Sequence, residues 1–258
     1  MLDMKDRPAL FSRKKCIEYC ISNDIDILSE GYYEGMGSME EDALFANVLD
    51  YHMGISYETG TIAEWYENWQ LIDPEHRIDS IVFLDTETTG MGGYTCSIAL
   101  ITIDLLSLTV IQDKTIYLEI NPNEKIEEEA YQVHKLSQEY LSDKPSFADH
   151  YDKIKEILDY SELKCAYNGI FDIGVINRDL SRIGKDRILN VYYLDPMRRL
   201  KSVVCAKDIN GKVKFPRLEE SVDFFNIKTE DGDLVFHNAL YDTEMLKNVF
   251  IASLSAKE

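Results

Sequence analysis

The chain has 258 residues, of which 45% are hydrophobic, and its formal net charge is −20. These proportions are typical of a globular protein and exclude an intrinsically disordered one. A chain this acidic repels nucleic acid at long range, although a local basic stretch can still bind phosphates.

Two further features of the sequence concern the location of the protein. No apolar run approaches the roughly 20 residues that span a membrane, and the first residues have no signal-peptide pattern. The five cysteines are an odd number without clustered spacing, which favours a reducing compartment over a disulfide framework. We therefore expect a cytoplasmic protein with no membrane partner.

The first 77 residues form an acidic region. The spacing of apolar residues predicts helices over residues 9–30 and 39–70, separated by a glycine-rich stretch at 31–37. Residues 1–78 contain 6 basic and 16 acidic side chains, a net charge of −10. This region either packs against the rest of the chain and stabilises it, or docks a basic protein partner.

A boundary after this region is predicted at Asp73-Pro74, since the residue before a proline disfavours helix. Shortly before it, Trp65 and Trp69 are four residues apart and share one helix face, which we interpret as a core-facing surface. We therefore predict a mostly helical N-terminal region of residues 1–77 and a second domain of residues 78–258.

The second domain begins with strands and continues with strands that alternate with helices. Apolar runs predict five strands, over residues 81–84, 97–104, 114–120, 163–167 and 189–194, with a turn and a short bridge at 107–110. Helical spacing predicts helices over residues 127–131, 147–158, 171–183, 218–225 and 239–254. This order predicts an α/β fold with a mixed five-stranded sheet flanked by helices.

Two acids end the first predicted strand. The apolar run Ile81-Val82-Phe83-Leu84 is followed by Asp85 and Glu87, whose side chains share a face because they are two residues apart on a strand. Two carboxylates that close repel each other unless a cation lies between them, and hard oxygen ligands suit Mg²⁺ or Mn²⁺. The alternative is a pair of solvated acids in a loop.

Two further acids occur in matching settings. Asp172 follows a predicted strand and lies near the start of a helix, where the helix dipole favours a carboxylate. Asp242 lies in the last predicted helix, five residues after His237. If both were helical, these two side chains would lie about 140° apart. We therefore predict that His237 precedes the helix on a loop, with Asn238 near the cap, so that its imidazole can reach the site of Asp242.

Three motifs in these stretches resemble one nuclease family. The motifs are Asp85-Thr86-Glu87-Thr88-Thr89-Gly90, Asn168-x-x-Phe171-Asp172-x-Gly174 and His237-x-Ala239-x-x-Asp242. In this order and spacing they resemble the DEDDh branch of the 3'→5' exonucleases, which have a ribonuclease H-like fold. The resemblance covers about residues 78–250 and leaves the first 77 residues without a counterpart.

The resemblance implies a metal-dependent 3'→5' exonuclease that works on a single strand or a 3' end, with DNA favoured over RNA. Four carboxylates, Asp85, Glu87, Asp172 and Asp242, would hold two Mg²⁺ or Mn²⁺ ions, and His237 would be the general base. The alternatives are an exoribonuclease and a catalytically silent binding protein on the same fold. The silent protein would need a missing ligand or base, and none is missing.

The resemblance also implies a substrate pocket. Seven residues would contact the terminal nucleotide: Thr86, Thr88, Met91, Val133, His134, Asn168 and Phe171. The alternative for Met91 and Phe171 is simple packing. Tyr167 and Ser97 differ from the residues that are common in the family at these positions. The two differences affect how a substrate would fit the pocket, and neither residue is one of the four expected metal ligands.

Basic residues are concentrated between the second and third motifs. Residues 161–217 contain 12 basic and 6 acidic side chains, a net charge of +6. Within this stretch, Arg198, Arg199 and Lys201 are candidates for contacts with the phosphates of a bound strand. The alternative is that the basic residues form a solvated surface. For the predicted helical residues we favour this interpretation: Arg178, Arg182, Lys185 and Arg187.

Overall fold

The computed structural model describes residues 61–71, 78–161, 163–186, 193–228 and 237–255. The predicted helix at 9–30, most of the predicted helix at 39–70 and residues 189–192 of the fifth predicted strand lie outside the described residues. Among the described residues, no helix is long and apolar enough to cross a membrane.

Five strands form one sheet in the order β3-β2-β1-β4-β5. The strands are β1 (Ser80–Thr88), β2 (Thr95–Asp104), β3 (Thr109–Glu119), β4 (Lys164–Cys165) and β5 (Tyr193–Leu194). Strands β1, β2 and β3 form an antiparallel meander, while β4 runs parallel to both β1 and β5. The predicted mixed five-stranded sheet is confirmed.

Nine helices within the described residues surround the sheet. They are α1 (Ile62–Gln70), α2 (Glu128–His134), α3 (Gln138–Leu141), α4 (Phe147–Tyr160), α5 (Gly169–Arg182), α6 (Pro196–Arg199), α7 (Lys201–Val204), α8 (Leu218–Phe224) and α9 (Ala239–Ser253). The short helices α3, α6 and α7 have too few residues for a periodic pattern, so the sequence did not predict them.

Strand β1 is buried on both faces and separates two cores. Ile81 and Phe83 pack into the core that includes helix α9, while Val82 and Leu84 pack into the core that includes helices α4 and α5. Side chains alternate between the faces along a strand. The next residues continue this alternation, so Asp85 and Glu87 face α9 and Thr86 faces α5.

Helix α1 belongs to the core on the α9 side. Trp65 and Trp69 are fully buried there, and the Trp65 ring packs edge-on against Phe250 at 6.3 Å between centroids. The helix begins with a capping box formed by Thr61 and Glu64. The interpretation of the two tryptophans as core residues is confirmed, and the boundary predicted at residue 77 does not separate this helix from the core of the sheet.

Strand β3 is longer than predicted. Leu108 has a φ of 57° and closes a tight turn in which its backbone N–H donates to Asp104 O at 2.8 Å. The chain therefore returns to the sheet at once, and Thr109 already pairs with Asp104. The predicted turn and short bridge at 107–110 is confirmed, because the turn ends at Leu108 and Thr109 and Val110 pair with Asp104 and Ile103, but these two residues belong to β3 itself.

Two helices differ from their predicted bounds in ways that affect the site. Helix α2 continues three residues beyond the predicted end at Tyr131 and so includes His134. Helix α5 begins at Gly169, two residues early, directly after Asn168 in the left-handed conformation with φ 63°. Both differences shift residues of the predicted pocket from loops into or next to helices.

Candidate active site

Three carboxylates meet at the end of strand β1. Asp85 and Glu87 project from one face of the strand, and Asp242 joins them from the first turn of helix α9, with ligand oxygens within 4.8 Å of one another. Helix α9 is fixed there by Asn238, whose Oδ1 accepts hydrogen bonds from Leu240 N and Tyr241 N. The cluster is therefore built by strand alternation on one side and by a capped helix on the other.

Asp172 reaches the same region from the opposite face of β1. Its Oδ1 accepts hydrogen bonds from Thr86 N at 2.9 Å and from Thr86 Oγ1 at 2.7 Å. Its side chain is buried, and its charge contributes to raising the pKa of Asp85. The four predicted ligands are thus neighbours, but Asp172 is held by the strand and stands outside the three-carboxylate cluster.

These four acids hold protons more tightly than ordinary carboxylates. Burial, together with the charges of Asp242 and Asp172, raises the pKa of Glu87 to about 8. Burial also raises the pKa values of Asp172 and Asp242 to about 7. The pKa of Asp85 lies well above its usual range because of burial first and its three acidic neighbours second. The crowded group favours positive charge at its centre.

The donor set fits a hard divalent cation. All four side chains offer carboxylate oxygens, the ligand type that Mg²⁺ and Mn²⁺ prefer. Asp242 Oδ1 is buried and has no hydrogen-bond partner among the described residues, so this oxygen is available as a ligand. A cation here would satisfy that oxygen and offset the repulsion between the carboxylates.

His237 lies on the loop before α9, as predicted. Helix α9 begins at Ala239 with Asn238 as its N-cap, and His237 itself has a φ of 72°. Its backbone N–H donates to Asp242 Oδ2 at 3.0 Å, while its exposed ring lies with Nε2 3.9 Å from Glu219 Oε1. The backbone of His237 thus orients a ligand, and its imidazole is directed towards Glu219.

Three of the predicted pocket residues are buried and hydrogen-bonded within the protein. Thr86 donates its hydroxyl to Asp172, and Thr88 Oγ1 donates to Gly90 O at 3.0 Å. His134 Nδ1 accepts from Leu136 N, so Nε2 carries the proton that is donated to Thr88 O at 3.1 Å. Burial lowers the pKa of His134, which keeps its ring neutral. These side chains hold the walls of the site in place.

The other four predicted pocket residues are accessible. Met91 is 89% exposed in the turn between β1 and β2, and Val133 is 48% exposed on α2. Asn168 is exposed and Phe171 is half-buried at the start of α5. Their contact with a nucleotide stays a prediction.

The turn that carries Met91 has a fixed, tight shape. Gly93 N donates to Gly90 O at 2.9 Å, and Thr89 N donates to Tyr94 O at 2.9 Å. A Cβ atom on Gly93 would overlap with Thr89 Oγ1 and would lie 2.9 Å from the backbone nitrogen of Gly90. Glycine is therefore required at this close approach.

Sequence reasoning missed Asp195, which positions the second motif. It is buried, and its Oδ1 accepts hydrogen bonds from Asn168 N at 3.0 Å and from Met197 N at 3.1 Å. Burial raises its pKa to about 6. Asp195 therefore fixes the left-handed residue from which α5 starts. The available signal was Asp195-Pro196, an N-cap residue followed by proline at the first helical position.

Glu219 was also missed. It lies in the first turn of helix α8, beside His237, and its charge raises the pKa of Asp242. In the sequence it is one of two adjacent acids at the start of a helix. Acids are common at this position because the helix dipole stabilises them, whether or not they have another role. Nothing in the sequence distinguishes it from a solvated acid.

The basic stretch between the motifs has mixed roles. Arg178 Nε donates to Gly93 O at 3.0 Å, and Arg182 lies over the Tyr94 ring at 4.4 Å, so both contact the chain around the β1–β2 turn. Arg178 is half-buried, so the interpretation as a solvated surface is wrong for this residue; Arg182 and Lys185 are exposed, and Arg187 lies outside the described residues. Arg199 is 4% exposed, which removes it from the predicted phosphate contacts.

The fold and the site define a class of protein. A ribonuclease H-like mixed sheet whose central strand ends in a carboxylate pair, with further acids from two helices, is the architecture of a nuclease that uses divalent metal. The model of the Exonuclease family (RNase T) matches residues 82–250, and the chain belongs to this family. The resemblance seen in the sequence is confirmed.

Relatives with similar sequences are bacterial polymerase subunits. The chain is 28% identical over 185 residues to the DNA polymerase III subunit epsilon of Buchnera aphidicola from Schizaphis graminum, covering 69% of this chain and 76% of the relative. It is 26% identical over 178 residues to the same subunit of Escherichia coli K12, covering 66% and 70% of the two chains.

Solved structures share the fold at lower identity. Exonuclease X in complex with 5' overhanging duplex DNA has a TM-score of 0.51 and 19% identity, covering 67% of this chain and 90% of that one. E. coli exonuclease I in complex with a dA16 oligonucleotide has a TM-score of 0.57 and 16% identity, covering 69% of this chain and 41% of that one. At these identities the likeness shows the fold alone.

Proposed function

We propose that this exonuclease removes nucleotides from the 3' end of DNA, and that Asp85, Glu87, Asp172 and Asp242 hold two Mg²⁺ or Mn²⁺ ions. The observation that carries the proposal is the meeting of three carboxylates within 4.8 Å, with the fourth beside them on Thr86. Four carboxylates match the combined charge of two divalent ions. When bound, such ions activate water and stabilise charge on the phosphate and the leaving oxygen.

The protein's own residues then perform the remaining tasks. Asp85 lies on the rigid central strand, and the charges of all three other acids act on it, so its carboxylate would hold metal from a fixed position among them. His237 accepts the proton of the attacking water, a role that suits an imidazole near neutral pH. Its place on a loop lets the ring turn from Glu219 towards the acids, while its backbone N–H keeps Asp242 in position.

The choice of DNA and of partners is supported by the relatives. The relatives are named as polymerase subunits, and exonucleases X and I of similar fold were solved with DNA. We propose DNA over RNA on this basis, with Met91, Val133, Asn168 and Phe171 at the terminal nucleotide. We also propose a bacterial-type cytoplasmic location and a protein partner, such as a polymerase, for the acidic residues 1–77.

One assay tests the reaction, its polarity and its substrate. Single- and double-stranded DNA and RNA, labelled at the 5' or the 3' end, are incubated with Mg²⁺, Mn²⁺ or EDTA. We expect 5'-labelled DNA to give a descending ladder, 3'-labelled DNA to release labelled mononucleotide at once, and EDTA to stop both. Full activity in EDTA, or a ladder only from the 3'-labelled strand, would overturn the proposal. Faster cleavage of RNA would instead favour an exoribonuclease.

A further inference from the structure

A small hairpin projects between helices α7 and α8. We call residues 205–217 the basic hairpin. Its two legs are joined by hydrogen bonds from Lys214 N to Ala206 O at 2.8 Å and from Asp208 N to Lys212 O at 2.9 Å. At the tip, Asp208 Oδ1 accepts from Asn210 N and Lys212 N. The hairpin is therefore ordered by its own hydrogen bonds rather than by a core.

The charge of this segment is opposite to that of the chain. The basic hairpin contains four basic side chains and one acid, a net charge of +3 in a chain of net charge −20. The single acid, Asp208, is occupied in the tip of the hairpin. Lys207 and Lys212 are exposed, and neither has an ion-pair partner within the part of the chain that the structure describes. Two cations without an ion-pair partner among the described residues thus face solvent on opposite legs of the hairpin.

Apolar groups are exposed beside these lysines. Ile209 is 100% exposed at the tip, and Phe215 is 41% exposed on the returning leg. The Phe215 ring lies 4.7 Å from Lys201 Nζ and 5.6 Å from the guanidinium carbon of Arg198. An aromatic ring surrounded by cations is the pattern that binds single-stranded nucleic acid, through stacking on bases and attraction of phosphates.

The base of the hairpin is joined to the active site on one side through the second motif. Tyr167, the residue before Asn168, donates its hydroxyl to Pro216 O at 2.9 Å. Arg198, which packs on Phe215, lies 3.6 Å from the Asp195 carboxylate that holds Asn168 N.

On the other side the hairpin is joined through the third motif. Arg217 lies 3.5 Å from Glu219, and Glu219 lies 3.9 Å from the His237 ring. A strand whose 3' end occupied the acids would therefore leave the site next to the basic hairpin.

We propose that the basic hairpin is a second binding surface for the nucleic acid, which holds phosphates upstream of the terminal nucleotide through Lys207 and Lys212 and contacts a base through Phe215. The inference rests on the proposed function, and it replaces Arg199 in the path expected from the sequence. Charge complementarity selects the occupant, because a polyanion is what a positive surface on a strongly acidic chain attracts. An acidic protein partner is the competing occupant.

The test compares Lys207→Gln/Lys212→Gln with Lys153→Gln/Lys185→Gln, a control that removes two exposed lysines from other parts of the fold. Binding of an oligo-dT of about 16 nucleotides is measured in EDTA at several salt concentrations. We expect the hairpin variant to bind about tenfold more weakly at low salt, with a slope of log K against log salt that is smaller by about 1.4, or about 0.7 per lost phosphate contact. The control should match the wild type.

Phe215→Leu separates stacking from charge. This variant should weaken binding while leaving the salt slope unchanged, because no charge is removed. Hydrolysis provides the second readout: kcat/KM on the long strand should fall in the hairpin variant relative to kcat/KM on a dinucleotide, which is too short to reach the hairpin.

Two results would overturn the inference: a salt slope equal to that of the control, which would show that Lys207 and Lys212 contact no phosphate, or equal losses on the dinucleotide and the long strand. Binding in EDTA does not require hydrolysis. A wild-type protein that binds the oligonucleotide with the expected salt slope but cleaves nothing would therefore defeat the proposed function and leave the binding surface standing.

Discussion

The two faces of strand β1 hold their acids in different ways. On the face toward α9, the oxygens of Asp85, Glu87 and Asp242 crowd within 4.8 Å, and Asp242 Oδ1 has no hydrogen-bond partner among the described residues. On the face toward α5, Asp172 accepts two hydrogen bonds from Thr86. The first group leaves one carboxylate oxygen without a hydrogen-bond partner among the described residues, as the proposed cation site requires, whereas Asp172 is already held by strand β1.

This difference follows from the period of a strand. Residues one apart point to opposite faces, so the first motif directs the carboxylates of Asp85 and Glu87 towards α9 and the hydroxyl of Thr86 towards α5. The hydroxyl of Thr86 then fixes the fourth carboxylate at a set position. Variants that change the acids on only one face of β1 can therefore test which acids are metal ligands.

The largest effect is expected from the centre of the α9 face. Asp85→Asn removes the charge that the other acids surround, and kcat should fall by about 10³-fold or more, since several kcal/mol of charge stabilisation is lost. In EDTA the melting temperature should rise or stay level, because repulsion is relieved. Melting with and without Mg²⁺, alongside the cleavage assay, checks both effects. A large loss of stability without metal would assign Asp85 a structural role instead.

His237 should give the next largest effect. His237→Ala removes the imidazole but keeps the backbone N–H that orients Asp242. The turnover number should fall by roughly 10²–10⁴-fold, the usual contribution of a general base, while Mg²⁺ affinity changes little. Single-turnover kinetics and a metal titration give the two quantities. A parallel loss of metal affinity would make His237 a ligand, and an unchanged rate would remove it from the reaction.

The α5 face offers a matched pair of acids. Asp172 accepts from Thr86 N and Oγ1, and Asp179 on the same helix accepts in the same manner from Thr95 N at 3.0 Å and Thr95 Oγ1 at 2.7 Å. Asp179→Asn should cost about 1–3 kcal/mol of stability and leave kcat within about threefold. Asp172→Asn should lower kcat by at least about a hundredfold. If both variants lost activity equally, the loss would come from a displaced helix α5, and Asp172 would not be a metal ligand.

The sequence predicted the acids well and their environment poorly. Asp85 and Glu87 followed from strand alternation, and the loop position of His237 followed from the 140° that five helical residues would impose. By contrast, Asp195 and Glu219 act through contacts between segments far apart in the chain, for which local patterns carry no signal. The burial of Arg199 is likewise set by tertiary packing, because arginine is usually exposed.

Contacts between distant segments also explain why the predicted nucleotide pocket differs from the structure. Thr86, Thr88 and His134 were expected at the nucleotide because of the family resemblance, yet each forms hydrogen bonds within the protein. Which atoms a short polar side chain contacts depends on neighbours brought in by folding. Sequence spacing can place such a residue near a site but cannot show whether it faces a ligand or supports the wall behind it.

The smallest expected effect is on the pH dependence of stability in the absence of metal. The folded pKa is about 8 for Glu87 and about 7 for Asp172 and Asp242, against ordinary values of 4.5 for glutamate and 3.8 for aspartate, and burial is the main cause. Between about pH 4 and 8 the folded protein therefore holds protons that the unfolded chain has released. Stability from these groups is complete below about pH 4 and is lost as the pH rises through 7 to 8.

Melting in EDTA from pH 5 to pH 8.5 measures this loss, and Glu87→Gln should reduce the slope because one of the titrating groups is removed. Added Mg²⁺ should stabilise the protein more at pH 8 than at pH 6, since the ion competes with protons for the same oxygens. A metal-free protein that became more stable over this range would mean that the three α9-face acids are already paired with positive charge. The two faces of β1 would then not differ in the way proposed.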